Sequence, residues 1–171
     1  TTEHMRHNDI EAIAEAIVKR APERFSVAGL SMGGYIALEI CLNHGSRVER
    51  AAFLDTSART DTPEQTRRRH ELIDLARRGK LSEAIDALFP VFLHPERRDD
   101  SELKGRVSDM AHRVGPDVFE RQQRAIMARR RLVPILSEIA CPSLVVCGDG
   151  DRLTPPECAE ELAEGIPGAW L

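Results

Sequence analysis

Apolar residues recur at helical spacing near the start of the chain, where Ile10, Ile13, Ala14 and Ile17 share one face behind a capping Asn8 or Asp9. Glu15 and Lys19 stand four apart on another face and are expected to pair. Ala21-Pro22 ends this helix. The period then changes. Phe25 to Ala28 is β-prone, and Tyr35 to Leu42 returns to helix formers carrying Ile36, Ile40 and Leu42. Gly45 suits the C′ position of the second helix, and Val48 to Asp55, with Ala51, Ala52, Phe53 and Leu54, predicts a second buried strand. Strand, helix and strand in so short a stretch imply a parallel pair joined by a right-handed crossover.

From Ala58 to about Arg131 the pattern is helical and much more charged. Thr62-Pro63-Glu64-Gln65 reads as a capping box with proline at the first helical position, and Leu72, Ile73, Leu75 and Ala76 supply an apolar side until Gly79. A further helix is predicted from near Ser82, with Ala84, Ile85, Leu88 and Phe89 at helical spacing before Pro90. Val91-Phe92-Leu93 continues its apolar surface to His94-Pro95. Two more helices are predicted over Ser101 to Val114 and Pro116 to Ala128. Leu132 to Ile139 then leads through Pro142 into a third buried strand, Ser143 to Cys147. After Gly148-Asp149-Gly150-Asp151, Thr154-Pro155-Pro156-Glu157 reads as another capping box, opening a helix to about Ala163. Ala169-Trp170-Leu171 resembles the first residues of another strand.

Composition narrows the class. With 171 residues, 42% of them hydrophobic and 30% charged, the chain can bury one ordinary core. A net charge of −4 gives no general reason to expect nucleic acid or an anionic membrane as partner. No apolar run approaches the roughly 18 residues that span a bilayer. Thr1-Thr2-Glu3-His4 carries neither an initiator methionine nor the features of a signal peptide, which raises the expectation of a longer parent chain. Cys41, Cys141, Cys147 and Cys158 form no C-x-x-C pair. They read as small buried thiols of a cytoplasmic protein, with no metal site.

The chemistry is concentrated at the first change of period. Gly29-Leu30-Ser31-Met32-Gly33 is a Gly-x-Ser-x-Gly turn between a strand and a helix, the setting of a nucleophile elbow. A serine hydroxyl can attack only if it projects clear of its own backbone, and a tight turn achieves this by holding the serine in an unfavourable conformation. Gly29 and Gly33 lack the Cβ atoms expected to collide where strand and helix cross. The Met32 N–H, at the helix start, is placed to donate to an oxyanion.

Val27 to Glu39 resembles the elbow of the α/β-hydrolase family, and the likeness runs over nearly the whole chain. It is nearest in type to small bacterial carboxylesterases and enol-lactonases that carry a helical cap. The resemblance implies an α/β fold with a parallel-strand core, divided into hydrolase core over residues 1–58, cap over 59–131 and core again over 132–171. It also implies a Ser, Asp, His triad in that chain order. The family's acid motif, a glycine ending the strand, an aspartate three residues on and a proline shortly after, fits Gly148, Asp151 and Pro155. Asp149 then reads as a turn carboxylate, and Asp55, which also ends a strand, is an outside candidate. The family's histidine follows the next strand, and none of His4, His7, His44, His70, His94 or His112 matches that place. The second oxyanion donor of the family comes from an earlier loop. The resemblance therefore implies a chain incomplete at both ends, whose sheet would expose edges and an apolar face.

The expected activity is hydrolysis of a small carboxylic ester or lactone through an acyl-enzyme on Ser31, oriented by Asp151, without cofactor or metal. A non-catalytic binding module, or thioesterase, cofactor-free haloperoxidase or carbon–carbon hydrolase chemistry on the same elbow, are the alternatives. Leu88, Phe89, Phe92 and Leu93 suit either an apolar substrate group or packing of the cap. Arg67-Arg68-Arg69 and Arg129-Arg130-Arg131 read first as solvated helix faces, and second as a landing site for an acidic substrate or carrier protein. Self-association to a homo-oligomer is left open by the sequence.

Overall fold

The computed structural model describes residues 3–171. Helix α1 (Ile10–Val18) starts at Asp9, whose side chain accepts from Ala12 N at 2.8 Å. It buries Ile10, Ile13, Ala14 and Val18. Glu15 does not pair with Lys19. It reaches across to His44 Nε2 at 2.7 Å, a nearer match for its carboxylate than a solvated lysine one turn away.

Strand β1 (Phe25–Leu30) runs through Ser31 into helix α2 (Met32–Asn43), and β2 (Val48–Leu54) follows. Gly45 does follow the end of α2, but it opens a short 3-10 turn rather than adopting the left-handed cap conformation. A second parallel pairing joins β2 to β3 (Ser143–Val146), giving the order β1-β2-β3. Trp170 pairs in parallel with Leu144, as the C-terminal pattern predicts for another strand.

The sheet is covered on one face. Helix α2 packs there against β1 and β2, helix α8 (Pro156–Gly165) packs against β3, and Ala51, Phe53 and Val145 are buried beneath them. Sealing Phe53 from water contributes about 1.5–3 kcal/mol relative to leaving it exposed. The sequence pattern predicts strands buried on both sides, and here the structure differs. Leu30, Leu144 and Val146 point to the other face and stay 62%, 46% and 42% exposed, because no described element packs over them.

Between β2 and β3 lie five helices: α3 (Pro63–Arg77), α4 (Leu81–Asp86), α5 (Phe89–Phe92), α6 (Ser101–Val114) and α7 (Pro116–Ala128). They enclose a second apolar cluster that includes Leu72, Ala84, Ile85, Leu88, Phe89 and Phe119. The Thr62 capping box forms as expected, with Gln65 N donating to Thr62 Oγ1 and Thr62 N to Gln65 Oε1. Pro90 does not end the second of these helices. It lies in the first turn of α5, where its missing N–H costs nothing. The chain enters and leaves this block side by side, with Leu132 N donating to Ala58 O at 2.8 Å. Among the described residues no helix is long and apolar enough to cross a membrane.

Candidate active site

Ser31 stands at the strand-to-helix turn with φ 51° and ψ −115°, a conformation that costs a non-glycine residue about 1–3 kcal/mol. Hydrogen bonds on both sides of the residue hold it there, including a long one from Tyr35 N to its carbonyl at 3.4 Å. Its N–H donates to Leu54 O at 2.9 Å, and its carbonyl accepts from Gly34 N and from Thr56 Oγ1, both at 2.8 Å. A Cβ at Gly29 would overlap the Gly33 carbonyl and lie 2.6 Å from Gly34 N. The crowding expected at Gly33 falls instead on Gly34, whose Cβ would strike the Thr56 side chain, whereas one at Gly33 meets nothing within 4 Å. Gly34→Ala should therefore cost about 1–3 kcal/mol by overpacking, read as a lower denaturant midpoint. An unchanged midpoint would show that Thr56 moves aside freely.

The Met32 N–H, in the first turn of α2, donates to no described residue and is free for a ligand oxygen. Asp151 lies in the loop after β3. Its Oδ1 accepts from Leu153 N at 2.7 Å and Thr154 N at 2.9 Å, and its Oδ2 accepts from Thr154 Oγ1 at 2.8 Å. The capping box expected at Thr154 is therefore absent: Asp151 takes both donors of Thr154, and α8 starts from Pro155 without a side-chain cap. Oδ1 thus has both lone-pair sites filled, and Oδ2 retains one for a further donor. Asp149 is exposed and makes no hydrogen bond to a described residue.

Asp55 sits closer to this loop than sequence alone indicates. It ends β2 at φ 42°, donates its N–H to Val146 O at 2.9 Å, and accepts from Gly148 N at 3.0 Å. One donor atom each from Asp55, Cys147 and Asp151 lie within 4.8 Å of one another. The set is a hydrogen-bonded loop rather than a good metal cage. Its carboxylates already accept backbone N–H groups, and burial, reinforced by the charges of Asp151 and Asp55, pushes the Cys147 thiol up to about 11. At pH 8 such a thiol has roughly 100-fold less thiolate than one at 9, so iodoacetamide should label Cys147 correspondingly slowly and accelerate above pH 10. Labelling at the rate of a free cysteine would contradict this environment. Cys41, Cys141 and Cys158 are buried, and burial raises the Cys41 thiol as well.

Two of the histidines are held by partners of their own. His44 ends α2 and faces Glu15, and His112 Nε2 meets Ser82 Oγ at 3.0 Å. His94 is the surprise. Its ring packs on Gly150, so that a Cβ there would collide with it, one residue from Asp151. No spacing rule signals a contact between residues so far apart in the chain.

The arginine triplets are not simply solvated faces. Arg69 Nε and Arg129 Nη1 both donate to Asp61, at 2.5 and 2.8 Å, and only 2% of the Asp61 side chain is exposed. Burial alone would raise the Asp61 carboxyl, but hydrogen bonding from Arg69 and the charge of Arg129 outweigh it and hold it below the ordinary carboxylate range. Arg129 also lies 4.4 Å over the Tyr35 ring and donates to the Arg59 carbonyl. Arg130 forms a two-bond pair with buried Glu39, at 2.9 and 2.7 Å. Beside this network a cleft of about 440 Å³ opens between the helical block and the sheet-bearing part. Tyr35, Leu72, Leu88, Arg129 and Thr154 are among its walls, and Ser31 is not.

Residues 1–170 match the model of the alpha/beta hydrolase family. The chain belongs to that family. A relative from Yersinia enterocolitica, named "Putative carbamate hydrolase RutD", is 30% identical over 166 residues, covering 94% of this chain and 58% of the relative. Two solved α/β structures are similar. A thermophilic esterase from Thermogutta terrifontis superposes with a TM-score of 0.83 at 25% identity, over 94% of this chain and 61% of that one. The enol-lactonase from Burkholderia xenovorans gives 0.83 at 26% identity, over 95% and 63%. The chain thus spans about three fifths of the length of these α/β hydrolases.

Proposed function

We propose that this α/β hydrolase cleaves a small carboxylic ester or lactone through an acyl-enzyme on Ser31. The observation that carries the reading is the backbone of Ser31, held at positive φ between β1 and α2 beside a free Met32 N–H. Strain of this kind persists only where surrounding contacts over-determine it, and it projects a serine hydroxyl toward solvent at a helix start. In this mechanism Ser31 Oγ attacks the carbonyl carbon and passes its proton to a histidine base. The carbonyl oxygen becomes an oxyanion that accepts from Met32 N–H, and the alcohol leaves with the proton. Water then repeats the sequence on the acyl-serine. Asp151, already fixed by Thr154 and Leu153, would orient the base and stabilise its charged form.

A carbamate is the second substrate class, favoured by the name of the Yersinia relative. It presents the same carbonyl to the same serine. A fluorophosphonate probe followed by peptide mapping tests the shared step. One adduct on Ser31 is the expected result, and a protein that turns over esters while Ser31 stays unlabelled would overturn the assignment. Parallel rates on matched ester, lactone and carbamate substrates then separate the classes.

A further inference from the structure

The cleft beside the arginine network has a chemical character that the Ser31 chemistry does not use. Its walls carry five arginines, at 59, 68, 69, 129 and 152, against the carboxylates of Asp61 and Glu64, in a chain whose net charge is −4. Concentrating positive charge in a concave place of an acidic protein focuses anions there. Two of the five are committed, since Arg69 and Arg129 hold Asp61. The others are not. Arg152 is exposed and has no hydrogen bond or ion pair with any described residue. Arg68 is exposed and uses one nitrogen, on the Ala87 carbonyl, and Arg59 spends its Nε on Glu161. All three line the cleft and are exposed, with guanidinium N–H groups to spare.

The floor is different. Leu72, Leu88 and Cys158 are buried, and Tyr35 is 6% exposed with its hydroxyl hydrogen-bonded to no described residue. A volume of about 440 Å³ lies in the range of sites that enclose small organic ligands. We infer that this cleft binds an amphiphilic carboxylate, its head paired with the guanidinium groups of Arg152, Arg68 and Arg59 and its apolar tail laid on Leu72, Leu88 and Tyr35. Arginine suits this head because its planar fork pairs with a carboxylate through two parallel hydrogen bonds. The site is separate from Ser31, which does not line the cleft. The inference therefore does not depend on the hydrolytic reading.

Calorimetric titration of the full-length protein with octanoate and with octanol tests it, since the two share a tail and differ in charge. Octanoate should bind once per chain, at least about 10-fold more tightly than octanol, and lose affinity as salt rises. The double variant Arg68→Ala, Arg152→Ala should weaken octanoate about 10-fold and leave octanol within about 2-fold, which also reports that the cleft is still folded. Protein modified on Ser31 by the fluorophosphonate should bind octanoate as before. The inference is overturned if neither compound binds, if the two bind alike, if the double variant leaves octanoate unchanged, or if Ser31 modification abolishes octanoate binding. The last result would place the acid at Ser31 instead.

Discussion

Ser31→Ala should lower turnover of an activated ester by about 10,000-fold or more while the protein stays folded, because the covalent step loses its nucleophile and no neighbouring hydroxyl occupies the same turn. The strained backbone gives this prediction a second half. Alanine keeps the Cβ and so inherits the cost of φ 51°, whereas Ser31→Gly releases it. Releasing about 1–3 kcal/mol of strain, against a glycine penalty of about 0.5–1 kcal/mol, should leave the glycine variant equally inactive but more stable by about 1 kcal/mol. Steady-state rates and denaturant midpoints of the two variants decide the matter. Residual turnover within 10-fold of the parent would remove Ser31 from the mechanism, and a glycine variant less stable than the alanine one would show that the turn is not strained.

Asp61→Ala should be strongly destabilising, by about 2–4 kcal/mol, since it leaves the partly buried Arg69 and Arg129 without their counter-charge. Arg129→Met should cost less, because Asp61 keeps Arg69 as a partner while losing one of its two cations, and the Tyr35 ring loses its cation. The double variant Asp61→Ala, Arg129→Met should cost clearly less than the sum, which is the mark of a coupled pair. Additive costs would mean that the network is ornamental. The effect also has a pH signature. The folded-state carboxyl of Asp61 lies below its ordinary value of 3.8, so its contribution is fully present above that value and is lost as pH falls through the folded-state value. The gap between parent and Asp61→Ala should therefore narrow only in strong acid.

Local signals carried most of the fold. The ends of α6 and α7 and the Thr62 capping box follow from short-range patterns, and the strand-to-helix change of period placed Ser31 at its turn. What failed was long-range competition. Thr154 carries the signature of a helix cap, but Asp151 lies three residues upstream and takes both of its donors. The arginine triplets look solvated because a helix spreads consecutive residues around its surface. Their partners stand 68 and 91 positions away, for Arg129 with Asp61 and Arg130 with Glu39. The cleft shares that cause: its walls come from segments that only the folded chain brings together. At the site, sequence named Ser31, Met32 and Asp151. It could not foresee Thr56 bracing the serine carbonyl or His94 resting on Gly150, because neither contact leaves a periodic trace.

The clasp formed by Asp61 and Arg129 has a meaning for how such a protein can change over time. Asp61 stands just before α3 and Arg129 just after α7, and the Ala58–Leu132 hydrogen bond lies beside them. Everything between is an excursion that departs and returns at one place. The entropy of closing a loop grows only slowly with its length, so the fastened ends are nearly indifferent to what is threaded between them. A lineage could lengthen, shorten or exchange those helices, and with them the apolar wall over the cleft, while the turn bearing Ser31 stayed untouched.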